Sequence, residues 1–158
     1  MTVITHARRK SNLSRMIDSS GGVSVGVALT RARENIAALR ETGLVEIRRY
    51  IAELSALQAP TDDDEKLRVL HQMYQAATGV IDSASPFDLG EICDVARSLC
   101  DVIDRAAGET VFDWRIMAVH IQSLQLLNTL PAEAVEQRQA VTTNLADMVA
   151  KKFRQTGA

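Results

Sequence analysis

Apolar positions along this chain recur in steps of three and four, the period of helices that each bury one face. From Ala28 onward, Leu29, Ala32, Ile36, Leu39, Gly43, Ile47, Tyr50, Leu54 and Leu57 keep to that period. The stripe predicts one long helix that ends before Pro60 and can bend at Gly43, where glycine weakens a helix by up to about 1 kcal/mol relative to alanine. Thr61-Asp62-Asp63-Asp64-Glu65 then reads as an acidic helix start, with Thr61 or Asp62 capping free amides and the carboxylates facing the positive end of the helix dipole. Leu67, Leu70, Tyr74, Ala77 and Ile81 form the stripe of that second helix.

Ser85-Pro86 predicts the start of a third helix, whose seam is Leu89, Ile92, Ala96, Leu99 and Ile103, with Cys93 and Cys100 widening it and Gly108 stopping it. A fourth, from about Phe112 to Leu127, is apolar almost all round, which predicts a central position in a bundle or cover by a partner. After the break at Asn128-Thr129-Leu130-Pro131, a last helix carries Val135, Arg138, Val141, Leu145, Met148 and Lys152. Period-two alternation is confined to the brief Val23-Val25-Val27 run. The pattern therefore predicts an all-α protein, an antiparallel bundle of four to five helices over residues 27–158. Residues 1–26 read as a flexible tail: Ser19-Ser20-Gly21-Gly22-Val23-Ser24-Val25-Gly26 is too small and polar to anchor a core, and His6, Arg8, Arg9, Lys10 and Arg15 make the tail basic.

Composition fits this picture. The 158 residues suffice for one domain with its own core, 46% are apolar, and only six are aromatic, so Leu, Ile, Val, Ala and Met must do most of the packing. A formal charge of −2 argues against a nucleic-acid binder. The apolar runs are too short to span a membrane, and no apolar segment follows the N-terminal basic residues as in a secretory signal, so a cytoplasmic protein with reduced thiols is expected. Cys93 and Cys100, seven apart, would sit about 10 Å from each other at a rise of about 1.5 Å per residue, too far for a disulfide. They read as small buried apolar residues.

Spacing offers little for catalysis. The acidic run at 61–65 lacks the spaced ligands and turn glycine of a calcium loop, no Glu-x-x-His or His-Glu-x-x-His pair occurs, and Gly21-Gly22-Val23-Ser24-Val25-Gly26 has neither a preceding strand nor the lysine of a phosphate loop. No metal, no cofactor and no enzymatic activity are expected. His120 is the one residue that invites a chemical test: a histidine on a bundle helix is how phosphotransfer domains carry phosphate, provided the ring is exposed and a cation lies near. In the places where that motif carries a lysine and a small residue, this sequence holds Gln and Ser. His71 falls on a polar face. Asp113-Trp114-Arg115 contains the only tryptophan and marks either a core cap or a partner contact.

Three segments together resemble the CheE-type accessory proteins of bacterial chemotaxis. They are Ala32-Arg33-Glu34-Asn35-Ile36-Ala37-Ala38-Leu39-Arg40, Ala96-Arg97-Ser98-Leu99-Cys100-Asp101-Val102-Ile103-Asp104, and Trp114-Arg115 leading into Val119-His120-Ile121-Gln122-Ser123-Leu124-Gln125-Leu126-Leu127. The resemblance implies a non-enzymatic adaptor that contacts a histidine kinase, response regulator or chemoreceptor component. Such contact is expected on the third and fourth predicted helices, with Asp113, Trp114 and His120 as contact residues. Phosphotransfer through His120 and a granule scaffold of the phasin kind are the alternatives, and the apolar surplus of the fourth helix allows a homodimer.

Overall fold

The computed structural model describes residues 21–109 and 112–156, and most of the expected basic tail, His6 included, lies outside them. Among the described residues the chain is all-α: α1 (Val25–Ala38), α2 (Arg40–Ala56), α3 (Asp63–Ala84), a 3-10 turn (Ser85–Phe87), α4 (Gly90–Gly108), α5 (Arg115–Thr129) and α6 (Val135–Thr156), with no strand. No helix among them is long and apolar enough to cross a membrane.

Local chemistry sets the boundaries. Ser24 caps α1: its Oγ accepts from the Val27 N–H (3.3 Å) and its carbonyl from the Ala28 N–H (2.9 Å). The long helix expected over 28–57 is interrupted at Leu39, whose N–H reaches back only three residues, to the Ile36 carbonyl (3.0 Å). The break is not at Gly43. That residue is glycine because the ring of Phe87 packs where its Cβ would stand. At the start of α3, Asp62 Oδ1 accepts from the Glu65 N–H (2.7 Å), while Glu65 Oε2 accepts from the Thr61 N–H (2.9 Å) and hydroxyl (2.8 Å). This reciprocal cap agrees with the acidic start read from the sequence. Ser85-Pro86 does not open α4 directly. It forms the 3-10 turn, Asp88 follows in the left-handed region (φ 57°), which aspartate tolerates better than most residues, and α4 begins at Gly90.

The described residues divide into two compact units between Asn35 and Ile36. The first holds most of α1, and no residue of α1 is buried. The second is a five-helix bundle, α2 to α6. Within it α4 packs against α3, α5 and α6, and α2 packs against α3 and α5.

Burial in this core departs from the sequence pattern in two ways. The helix with the most buried residues is α4, with eight (Ile92, Cys93, Val95, Ala96, Leu99, Val102, Ile103 and Ala106), while the more apolar α5 buries six. Apolar content is not burial: α5 leaves Val119 and Leu126 exposed. In α3 the buried face is Val69, Leu70, Met73, Ala76, Ala77, Val80 and Ala84, whereas Leu67 and Tyr74, taken for core, are 64% and 43% exposed. The true face is turned by about one residue from the expected stripe, and only Leu70 and Ala77 belong to both.

Candidate functional site

His120 sits on the inner face of α5, at 0% exposure. One turn back, the Ile116 carbonyl lies 2.7 Å from Nδ1, and across the helix interface the Ser98 hydroxyl of α4 lies 2.9 Å from Nε2. A carbonyl can only accept, so Nδ1 carries the proton and donates it to Ile116. Nε2 then accepts from Ser98 Oγ, and the ring is neutral with both nitrogens used. Burial pushes its pKa below the ordinary histidine value, against a smaller opposing effect of the Ile116 hydrogen bond.

A phosphoacceptor must meet its donor in solvent with a free nitrogen lone pair. In this structure the ring has neither property: His120 is buried, with both nitrogens engaged, as a polar link between α4 and α5. His71 is exposed on α3, as its polar face predicts.

Asp113, Trp114 and His120 do not share one surface. Asp113 precedes α5 and ties it to the end of α6. Its carboxylate accepts from Arg115 Nε (2.8 Å) and Nη2 (2.8 Å) and pairs with Lys152 Nζ (2.8 Å). These cations, Arg115 first, hold its pKa far below the usual carboxylate range. Trp114 is half-buried, edge-on to Phe112 (centroids 5.7 Å apart, planes at 81°), and packs against the core. It lines a shallow groove of about 270 Å³ with Leu57, Met73, Met117 and Ile121. Of the three expected contact residues, Trp114 alone presents apolar surface there.

Two residues gain weight from the structure. Arg138, read as part of the α6 stripe, is a buried cation at 5% exposure. Its Nη1 donates to the carbonyls of Leu127 (2.8 Å) and Leu130 (3.1 Å) at the end of α5, and its Nη2 approaches Glu91 of α4 (3.4 Å). It thereby satisfies a helix C-terminus that would otherwise lack donors. Lys66 acts similarly, donating from Nζ to the Glu109 carbonyl just past the end of α4. Both are architectural.

Tyr50 packs its ring where a Cβ on Gly79 would stand, and the Arg49 guanidinium lies over the same ring, 4.0 Å from its centroid. Beside this contact α2 and α3 border an open groove of about 770 Å³, lined by Tyr50, Leu57, Tyr74 and Ala76 together with the exposed carboxylates of Glu53 and Asp82. No lysine or arginine lines it.

Among the described residues no three His, Cys, Asp or Glu side chains come together to hold a metal ion. Cys93 and Cys100 are free, and burial, the largest influence on each, pushes both thiols above the ordinary cysteine value.

The most unusual surface is α1 itself: Val25, Leu29 and Ile36 are 76%, 51% and 43% exposed, along one side of a helix with no buried residue. Compared with protein-family models, with curated proteins and with solved structures, the chain matches none.

Proposed function

We propose that this chain is a non-enzymatic adaptor that works by protein contact, with α1 as its docking helix, in a bacterial signalling pathway of the chemotaxis type. The observation that carries the contact role is the apolar stripe of α1, which has helical period and no buried residue. A helix of this length is marginal in water without a packed face. Placing each stripe residue against a partner is worth about 1.5–3 kcal/mol for a Val, Leu or Ile, which is how amphipathic helices bind grooves. The signalling setting rests on the three segments that resemble CheE-type proteins, one of which, Ala32–Arg40, covers the end of α1. The docking element moves from the α4–α5 face to α1, because His120 is buried and Asp113 is engaged within the bundle.

Affinity capture of the tagged chain from its native cells, with bound proteins identified by mass spectrometry, tests this reading. The expected result is enrichment of a histidine kinase, response regulator or chemoreceptor component, lost in a Leu29→Glu/Ile36→Glu variant and kept in Trp114→Ala. Capture unaffected by the α1 substitutions would remove α1 as the docking element. Recovery of the chain in a granule fraction with only granule proteins would replace the signalling reading with a scaffold one.

A further inference from the structure

The chain divides its charge unevenly. Residues 1–40 hold seven Lys and Arg against two Asp and Glu, whereas residues 41–158 hold eleven against eighteen. The small net charge of −2 thus conceals a basic N-terminal segment and an acidic remainder. α1 belongs to the basic part and combines its apolar stripe with Arg31, Arg33 and Glu34, two cations against one carboxylate. The α2–α3 groove is its chemical counterpart: apolar in Tyr50, Leu57, Tyr74 and Ala76, acidic in Glu53 and Asp82, and without a cation in its lining. Glu53 is shared with Arg49 (2.5 Å), so Asp82 is the carboxylate left for a new cation.

We infer that the α2–α3 groove receives helix α1 of a second copy of this chain, so that two copies pair by exchanging their N-terminal helices. In the pair, Leu29 and Ile36 lie against Tyr50, Leu57 and Tyr74, and Arg33 approaches Asp82 of the other copy. Charge favours this occupant over a second α1. Two α1 helices side by side bring arginines together, whereas α1 in the groove brings opposite charges together and gains from long-range attraction between a basic segment and an acidic bundle. The arrangement is self-complementary and closes at two copies, as an isologous interface does. It rests on the same reading of α1 as a contact helix, and it adds a regulation: self-association and partner capture compete for α1.

Sedimentation velocity on the full chain, across a concentration series at low and high salt, tests the inference. The expected result is a monomer–dimer equilibrium weakened about tenfold or more at high salt, since the charges involved are exposed and screened. Leu29→Glu/Ile36→Glu and Tyr74→Glu/Asp82→Lys should each be monomeric. Their circular dichroism melts should match the parent, because all four positions are exposed. A mixture of the two variants is decisive, because it combines one intact groove with one intact α1. Hetero-association in that mixture is expected, and its absence beside a dimeric parent would mean that α1 pairs with α1 and overturn the groove. A parent that stays monomeric throughout would also overturn it, while loss of partner capture in the α1 variant would leave the adaptor reading standing. Conversely, a dimer of the expected kind that captures no signalling protein would leave this inference and remove the adaptor.

Discussion

The ring of Phe87 occupies the space that a Cβ on Gly43 would need, so α2 meets the turn before α4 at a point where only hydrogen fits. Helix propensity alone predicts that Gly43→Ala stabilises α2, by up to about 1 kcal/mol. The contact predicts the opposite: the ring must shift, and overpacking of this kind costs about 1–3 kcal/mol. Urea unfolding of Gly43→Ala should therefore show a net loss, and Phe87→Leu in the same chain should recover part of it. A gain in the single variant would mean that the ring swings aside freely.

Gly79 and Tyr50 repeat the relationship between α3 and α2, with three ring atoms closer to the would-be Cβ than real contacts allow. Gly79→Ala should also destabilise by about 1–3 kcal/mol in urea. Because Tyr50 lines the α2–α3 groove, its displacement should weaken dimer formation as well.

The Ser98–His120 hydrogen bond joins α4 to α5 in the core. Ser98→Ala leaves Nε2 without its donor and should cost about 1–3 kcal/mol, read from the urea midpoint. Ser98→Thr keeps a hydroxyl and should lose less.

The same histidine predicts a pH dependence. Its folded pKa is depressed by burial, so the unfolded chain binds the proton more readily. The stability it contributes is complete above the unfolded value of about 6.5 and falls as pH drops below that toward the folded pKa. Thermal melts between neutral pH and about pH 5, above the range in which carboxylates titrate, should show a falling Tm. His120→Gln should flatten that slope. An unchanged slope would place the titration elsewhere.

Arg138 holds two carbonyls at the end of α5 and Glu91 of α4 from a nearly buried position. Hydrogen bonds to a charged group are worth about 1.5–3 kcal/mol. Arg138→Met should therefore destabilise by about 2–3 kcal/mol in urea, and Arg138→Lys should restore only part, since a single ammonium cannot reproduce the guanidinium fork. Faster hydrogen exchange should appear first at the end of α5.

Much of the bundle was legible along the chain because period and punctuation are local. The seam of α4 was read correctly at Ile92, Ala96, Leu99 and Ile103, and the acidic start of α3 at Asp62 and Glu65, because a single helix carries all of the information needed. The face of α3 was less legible. Leu67, Tyr74 and Ile81 satisfy the helical period as well as Met73, Val80 and Ala84 do, and only the neighbouring helices decide which set is buried. His120 showed the same limit: its place in an apolar helix was visible, but the serine that occupies its second nitrogen comes from another helix, 22 residues away in sequence. Arg138 fell on the stripe of α6, yet its partners on α4 and α5 could not be read from α6 alone.

Sequence by itself determined the helices and their approximate order, since these follow from backbone propensity and capping chemistry. Tertiary structure alone decided which faces are core, that His120 is a buried, doubly hydrogen-bonded link, that Gly43 and Gly79 are seats for aromatic rings, and that no residue of α1 is buried. Such properties depend on which surfaces meet across helices. Burial is settled by packing between distant segments, and a periodic pattern records only that a segment has an apolar side.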